Sequence, residues 1–474
     1  DGEQPERGRL RRGHAGDDEQ RHEHDRAAEA PEGADARGER GGAEEQERIH
    51  VRAPNVRIFR TLVVVGGVGS SRGADGGAVL ERDVVVVGGG SAGITVAARL
   101  RRAGVRATIV EPSADHWYQP LWTLVGGGIV RAAATRRDEA RVIPRGCEWI
   151  RARVTGGDAS AGVLALDDGR TIRAGWIVLA TGIQLDWDGV PGLPEALGTP
   201  AVGSNYRVDL AERTWTALRG LRRGTALFTA PSGPIKCGGA PQKIAYLACD
   251  HWRREGVLGD IDVHLVLPGT TLFGIPSFAR ALEGAVARYG IRVHFSTELV
   301  AIDGAARTAT LRDVRDGSTR TMQFDVAHVV PPQSGPSWLR GAGFADPANP
   351  RGWVDVDRAT LRHRRWPRVF ALGDCTDTPN AKTGAAVRKQ APVLVRNLLA
   401  ARRGDALDAA YDGYGSCPIV TSRGTCVLAE FDYDLRLVPS FPLIDMARER
   451  RDMWMVKRWL LPWLYWSLML RGRA

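Results

Sequence analysis

A glycine-rich motif between a buried strand and a helix constrains the fold of this chain most strongly. The segment Asp83–Val87 contains four consecutive valines, and Gly88, Gly90 and Gly93 follow it in the spacing G-x-G-x-x-G. Residues 94–100 then show the small and apolar side chains of a helix that packs on a sheet. Glycines in this spacing let the backbone approach a pyrophosphate at the start of the helix. The segment therefore predicts the first βαβ unit of a dinucleotide-binding domain.

Three further strand ends fit the same kind of domain. The strand 107–111 ends in Glu111, about 20 residues after the glycines, where an acid holds a ribose hydroxyl. The strand 173–182 closes on Ala-Thr-Gly, and the strand 368–374 closes on Gly-Asp at Asp374. Each end taken alone is an ordinary strand terminus. Their order along the chain strengthens the prediction of a dinucleotide site.

A second strand–turn–helix pattern, at residues 228–243, carries a thiol in its turn. A site for NADH would need a second glycine-rich loop here, but Pro231, Pro234 and Cys237 stand in its place. We expect Cys237 to begin a helix, where the helix dipole lowers a thiol pKa, and Lys236 and Lys243 lie close in sequence. The alternative is that Cys237 is one of the many buried, inert cysteines.

The order of these patterns predicts an α/β protein with two Rossmann-like domains, the second inserted in the first. We expect the first domain at 81–200 and 350–410, the second at 201–349, and a C-terminal segment at 411–474 with a membrane-interface helix. Residues 1–80 are predicted to be a disordered or non-native tail, because 1–50 have almost no aliphatic content. A valine and glycine run at 62–69 lacks a following helical pattern and is not expected to bind a nucleotide.

The charge and the cysteines narrow the classes of function. The net charge of +10 arises from 65 basic and 55 acidic residues, which suits an anionic membrane surface better than nucleic acid. We expect neither a nucleic-acid partner nor a metal site. Six cysteines in 474 residues are too few for a disulfide scaffold, so any bridge among them would be catalytic.

The C-terminal residues 453–470 predict a helix at a membrane surface. Their apolar run covers about a dozen residues, and a bilayer span needs about 20. Tryptophans and Tyr465, flanked by Lys457 and other basic residues, are typical of a helix lying at the lipid–water interface. The alternative is a buried core or dimer helix. We expect a peripheral, monotopic membrane protein, in a bacterial plasma membrane.

Taken together, the nucleotide motifs resemble those of the flavoproteins with two dinucleotide folds, in which the first site holds FAD. The residues that match that site are Gly88, Gly90, Ser91, Ala92, Gly93, Glu111 and Asp374. Within that superfamily, four segments resemble sulfide:quinone oxidoreductases of the kind related to the mitochondrial enzyme. They are 111–122, Ile-Lys-Cys-Gly-Gly-Ala-Pro-Gln-Lys at 235–243, 373–383, and 411–420 with Ser-Cys-Pro. The resemblance runs from about Asp83 to the C-terminus.

The resemblance implies an enzyme that oxidises hydrogen sulfide. Cys237 and Cys417 would be joined directly or through extra sulfur, and sulfide would leave a persulfide on Cys417. Cys237 would pass two electrons to C4a of the flavin, and ubiquinone or menaquinone would receive them. An acceptor such as sulfite or glutathione would take the sulfane sulfur. The resemblance also implies that Gln119, Val154, Lys243 and Lys382 contact FAD.

Several alternatives stay open at this point. Cys375 follows Asp374 directly and competes for the role of Cys417, which precedes a proline in an expected turn and could be a structural thiol. Cys147, Cys249 and Cys426 lie in no motif and are expected to be structural. The same fold also serves NADH:quinone oxidoreductases. A non-enzymatic flavin redox sensor is a further alternative.

Overall fold

The computed structural model describes residues 71–72 and 78–474 of the chain. Most of the predicted tail at 1–80, including the run at 62–69, lies outside the described residues. The first domain begins before the predicted boundary at 81, because the strand Ala78–Val87 starts three residues earlier. Ser71–Arg72 pairs with its first residues in antiparallel register.

The first sheet carries the glycine motif at its centre. Its parallel core has the spatial order Glu148–Ile150, Thr108–Val110, Ala78–Val87, Thr171–Leu179 and Val369–Ala371. The antiparallel strands Val154–Asp158 and Val163–Leu166 extend the early half of Thr171–Leu179. The valines of the central strand are almost fully buried because both faces of the sheet are covered.

Two helices pack on one face of this sheet, Ser91–Arg102 and Gly384–Arg403. We call the first of them the glycine-loop helix. A Cβ on Gly93 would lie 1.8 Å from the carbonyl oxygen of Gly88, so only glycine lets the helix start this close to the loop. This close approach is what the third glycine of the motif predicts.

The second sheet consists of short parallel strands, as the sequence predicts for a second Rossmann-like unit. Their spatial order is Val202–Gly203, Val326–His328, Gly224–Thr229, Ile261–Val266 and Arg292–His294. The helices of this unit are Val208–Gly220, Ala240–Arg254 and Pro276–Tyr289. An antiparallel sheet of Thr297–Asp303, Thr308–Asp313 and Thr319–Gln323 precedes the return to the first sheet.

A hairpin follows, made of Gly415–Val420 and Cys426–Phe431, which we call the cysteine hairpin. Cys417 lies in the middle of its first strand, opposite Ala429. The expected turn at Cys417 is therefore wrong, because Pro418 occupies a position in a two-stranded ladder where both neighbours stay extended. The hairpin packs on the helix Ala240–Arg254 and shares its apolar core.

The last residues form a broken helix, which we call the C-terminal helical segment. It consists of Arg451–Met455, a π-helical turn Val456–Leu460, Leu461–Ser467 and a 3-10 turn Met469–Arg471. Its buried face packs on the glycine-loop helix and includes Met453, Trp454, Tyr465, Met469 and Leu470. Its exposed face carries Met455, Trp459, Leu460 and Trp463. Lys457 and Tyr465, expected at a lipid interface, are instead 3% exposed each.

The remaining elements are short. They are the paired strands Asp115–Trp117 with Arg136–Asp138, the paired strands Gln184–Leu185 with Gln333–Ser334, and the helices Trp122–Gly126, Glu139–Val142, Leu193–Ala196 and Trp338–Gly341. Among the described residues, no helix has both the length and the apolar character needed to cross a bilayer.

Candidate active site

Two thiols that are 180 residues apart in sequence meet between the second sheet and the cysteine hairpin. The Sγ atoms of Cys237 and Cys417 lie 3.2 Å from each other. Cys417 is 2% exposed, and Cys237 is half-buried. Thiol–disulfide exchange needs direct contact between sulfur atoms, and this pair has it.

The loop before the helix Ala240–Arg254 positions Cys237. The helix begins at Ala240, so Cys237 lies in the loop before it and does not begin the helix as we expected. Its φ of 54° lies in the left-handed region, which non-glycine residues seldom adopt outside constrained sites. Its N–H donates to the carbonyl oxygen of Lys382 at 2.9 Å, and its own carbonyl accepts from Ala240 N at 2.7 Å. Hydrogen bonds on both sides therefore hold the thiol in place.

The surroundings make Cys237 the thiolate of the pair. A hydrogen bond from Cys417 and the charge of Lys243, whose Nζ donates to Cys237 Sγ at 3.0 Å, hold the Cys237 pKa well below its usual range against the effect of burial. The pKa of Cys417 is raised by its hydrogen bond to Cys237 and by burial. Burial would lower the pKa of Lys243, but the charge of Cys237 and the hydrogen bond to its sulfur outweigh that effect and raise the pKa. The arrangement is thus a thiolate, a thiol donor and an ammonium group.

Of the two lysines that the sequence places near the thiol, only Lys243 reaches it. Nζ of Lys236 donates instead to Gln119 Oε1 at 2.8 Å and to the carbonyl oxygen of Tyr206 at 3.4 Å. Burial lowers the pKa of Lys236 to about 8. Lys236 therefore belongs to the wall of the site beside Gln119.

Lys457 is a residue of this site that sequence reasoning missed. Its buried Nζ donates to the carbonyl oxygen of Pro120 at 2.7 Å, and its charge helps to lower the pKa of Cys237. Burial and the charge of Lys243 lower the pKa of Lys457 to about 8. The sequence did contain one indication of this position. Lys457 lies four residues after the apolar Met453, and residues four apart share one face of a helix.

Asp374 and Lys382 lie beside the loop at residues 230–239, which carries Cys237 and which we call the thiol loop. Lys382 Nζ donates to the carbonyl oxygens of Asp374 at 3.0 Å and Thr376 at 2.7 Å. Burial raises the pKa of Asp374, while the charges of Lys382 and Lys236 oppose that rise. Burial lowers the pKa of Lys382. The end of the strand Val369–Ala371 and the thiol loop therefore share one electrostatic environment.

The glycine loop has the shape of a dinucleotide cradle. Glu111 accepts hydrogen bonds from Gly89 N and Ser113 N, both at 2.7 Å, at the end of its strand. A Cβ built on Gly90 would meet nothing within 4 Å in the described part of the chain. The hydroxyl of Thr181, in the Ala-Thr-Gly end, is buried, and no described residue bonds to it. An open loop and a buried polar atom without a partner fit a bound dinucleotide.

The other residues predicted from the sequence are three of the expected cofactor site, Ser91, Ala92 and Val154, and the four remaining cysteines. Ser91 and Ala92 begin the glycine-loop helix, and Val154 packs with Val87 and Val110 in the core below the strand ends. Cys375 points its thiol at the carbonyl oxygens of Leu179 and Leu372. Burial raises the pKa of all four remaining thiols, Cys147, Cys249, Cys375 and Cys426, the last to about 12. Burial thus keeps these four thiols neutral.

Comparisons with known proteins show which proteins this chain resembles. The family model described as pyridine nucleotide-disulphide oxidoreductase matches residues 82–393. The mitochondrial sulfide:quinone oxidoreductase of Mus musculus is 38% identical over 430 residues, covering 89% of this chain and 95% of the mouse protein. The mitochondrial sulfide:quinone oxidoreductase of Dictyostelium discoideum is 38% identical over 394 residues, covering 82% of this chain and 86% of that protein.

A solved structure extends the comparison to the fold. The sulfide:quinone oxidoreductase of Aquifex aeolicus superposes with a TM-score of 0.70 at 19% identity, covering 83% of this chain and 92% of that chain. At this identity the likeness supports the fold alone. The predicted α/β architecture with Rossmann-like folds is confirmed.

Gly239→Ala should separate the two sulfurs. A Cβ on Gly239 would lie 2.9 Å from Cys417 Sγ, closer than such contacts permit, so the strand or the loop must shift. We expect mild oxidation to yield much less cross-linked Cys237–Cys417 peptide, measured by mass spectrometry. Gly238→Ala is the matched control, because its Cβ would meet nothing within 4 Å among the described residues. Equal cross-linking in both variants would contradict the close packing of Gly239 on Cys417.

Lys243→Gln should raise the pKa of Cys237, because it removes the ammonium group that favours the thiolate. The expected rise is about one pH unit or more. Alkylation of Cys237 by iodoacetamide, followed across pH in the reduced protein by peptide mass spectrometry, gives the midpoint. Lys389→Gln, which removes an exposed ammonium over the Tyr414 ring, should leave the midpoint unchanged. An unshifted midpoint in Lys243→Gln would show that Lys243 does not set the charge of the pair.

Proposed function

The chain belongs to the sulfide:quinone oxidoreductases, and we propose that it oxidises hydrogen sulfide and passes the electrons through FAD to a membrane quinone. One observation carries the proposal. A thiolate at Cys237, a thiol at Cys417 and the ammonium of Lys243 meet in the loop where an NADH site would need glycines. The sulfane sulfur would go to an acceptor such as sulfite or glutathione.

The residues of the glycine loop and its surroundings would hold FAD. They are Gly88, Gly90, Ser91, Ala92, Gly93, Glu111, Gln119, Val154, Lys243, Asp374 and Lys382. The open position beside Gly90 and the buried hydroxyl of Thr181 support this assignment. When bound, FAD supplies the acceptor for the electron pair and the route to quinone.

The difference in pKa between the two cysteines assigns their roles. Hydrosulfide attacks Cys417 Sγ in the oxidised pair, a new S–S bond forms there, and the bond to Cys237 breaks. Cys237 leaves with the electron pair as the thiolate that Lys243 stabilises. The thiol of lower pKa is the better leaving group, so the attack is directed to Cys417. The persulfide consequently forms on the buried cysteine of the hairpin.

A second transfer closes the cycle. The acceptor attacks the outer sulfur of the persulfide, takes it away, and leaves Cys417 as a thiolate. Re-formation of the bond between Cys237 and Cys417 would then give up two electrons, for which bound FAD would be the acceptor. The two Sγ atoms lie 3.2 Å apart, a distance that suits this step. It is longer than one S–S bond of ~2.05 Å and shorter than the combined length of two such bonds. The pair can therefore close directly or around one extra sulfur.

The thiol loop is poorly suited to bind NADH. A pyrophosphate site needs free backbone N–H groups. Here the N–H of Cys237 donates to Lys382, and the N–H of Lys236 donates to Gln333 Oε1 at 2.9 Å. Two backbone donors of this loop are therefore already occupied, which favours sulfide over NADH as the reductant.

The exposed apolar side chains support attachment to a membrane surface. Trp459 and Trp463 are 57% and 54% exposed on the C-terminal helical segment, and a second group lies just before it. That group comprises Leu435, Leu437, Val438, Phe441 and Leu443. Exposed apolar patches of this kind mark interaction sites, and a lipid surface would bring quinone to the enzyme.

Which membrane the protein would contact is a separate question. The sequence suggested a bacterial plasma membrane, and the comparisons give that expectation no support. The relatives from Mus musculus and Dictyostelium discoideum are named as mitochondrial proteins.

Mixing the purified protein with sulfide or with NADH tests the function. We expect sulfide to bleach the flavin and NADH to leave it oxidised. Cys237→Ser and Cys417→Ser should each abolish sulfide-dependent quinone reduction, because a hydroxyl cannot take part in thiol–disulfide exchange. Cys147→Ser and Cys249→Ser serve as controls and should keep most of the activity. Bleaching by NADH while sulfide is inert would establish the dehydrogenase alternative.

Replacing the exposed tryptophans tests membrane attachment. The double change Trp459→Ser and Trp463→Ser should weaken binding to anionic liposomes by about tenfold or more, as measured by co-sedimentation. Phe295→Ser, at an exposed phenylalanine of the second sheet unit, is the control and should not alter binding. Point changes are preferable to truncation, because the same segment buries Tyr465 and Leu470 in the core. Unchanged sedimentation of the double variant would remove this face from the membrane contact.

A further inference from the structure

A chain of buried polar side chains joins the C-terminal helical segment to the glycine loop. The hydroxyl of Tyr465 lies 2.8 Å from Ser91 Oγ and 2.5 Å from His116 Nε2. His116 Nδ1 lies 3.1 Å from Glu139 Oε2, and the side chains of both residues are 1% exposed. Ser91 directly follows Gly90 and is the first residue of the glycine-loop helix.

We propose that Tyr465, held by His116 and Glu139, is a positioning residue for FAD that fixes Ser91 at the start of the glycine-loop helix. The inference rests on the proposed function, in which FAD occupies this loop. The C-terminal helical segment then forms part of the cofactor site as well as the contact with the membrane.

The phenol is suited to this role. A hydroxyl has one proton and two lone pairs, so Tyr465 donates to one of its two neighbours and accepts from the other. Burial raises the pKa of Tyr465, which keeps the phenol protonated. Its ring also packs on Tyr118, with 4.4 Å between ring centroids. The side chain therefore holds Ser91 in one rotamer.

Glu139 contacts the loop from a second side. Its Oε1 would lie 2.6 Å from a Cβ built on Gly89, so the carboxyl group packs directly against the loop backbone. Oε1 is buried and has no hydrogen-bond partner among the described residues. Burial raises the pKa of Glu139, although its bond to His116 opposes the rise. A buried polar atom without a partner at the cofactor loop is expected where a bound ligand completes the site.

The dissociation constant of FAD from the apoprotein tests the inference. After removal of FAD from the full-length protein, FAD is titrated back and its fluorescence followed. Tyr465→Phe keeps the ring and removes the hydroxyl, and we expect the dissociation constant to rise roughly five- to tenfold. Glu139→Gln, which can still accept from His116, should bind FAD more tightly than Glu139→Leu.

A matched control separates positioning from general loss of stability. Tyr246→Phe removes an equally buried hydroxyl, bonded to Gln242 Oε1 at 3.0 Å, from the helix Ala240–Arg254. It should lower the melting temperature without changing the FAD dissociation constant. Wild-type affinity in Tyr465→Phe, or an equal loss of affinity in Tyr246→Phe, would overturn the inference.

Gly90→Val distinguishes this outcome from failure of the proposed function. It places a side chain in the open position beside the loop and should abolish FAD binding, whereas Gly284→Val, on an exposed helix face, should not. Wild-type FAD affinity in Gly90→Val would show that the cofactor lies elsewhere, which would overturn both proposals. Loss of FAD in Gly90→Val together with wild-type affinity in Tyr465→Phe would overturn only the role of Tyr465.

Discussion

The ion pair between the Cys237 thiolate and Lys243 is the interaction on which the rest of the site depends. A buried charge is costly unless it is paired and hydrogen-bonded, and here both conditions are met by groups from different parts of the fold. The loop supplies the thiolate, the helix Ala240–Arg254 supplies the ammonium, and the cysteine hairpin supplies the thiol donor. The asymmetry between two chemically identical side chains follows from these neighbours and gives each cysteine a distinct role.

The second Rossmann-like unit shows how a nucleotide fold can serve another chemistry. Its strand, turn and helix keep the layout of a phosphate-binding unit, but two backbone donors of the turn, those of Lys236 and Cys237, are used within the protein. The hydrogen bond from Cys237 to Lys382 ties the turn to the segment that carries Asp374. The turn therefore acts as a rigid support for sulfur in place of a flexible phosphate loop.

The sequence was sufficient for the α/β fold, because its evidence is local. The valine run, the glycines and the strand-end acid each fix a backbone conformation within a few residues. It was insufficient where distant segments meet. Cys417 lies in a strand and not in a turn because Ala429 pairs opposite it, and Lys457 faces the thiols and not a membrane. Tyr465 turns inward while Trp463 stays exposed, because residues two apart on a helix lie on opposite sides of it.

The two faces of the C-terminal helical segment connect the proposed membrane contact with the active site. Trp459 and Trp463 face outward, while Lys457 lies among the thiol charges and Tyr465 bonds to the start of the glycine-loop helix. Both inward contacts require the segment to keep one rotation about its axis. A displacement that exposed Lys457 would take a positive charge away from Cys237. One that exposed Tyr465 would leave Nε2 of His116 without its partner. The proposed attachment through the outer face would consequently act on a helix whose orientation is already fixed by the site.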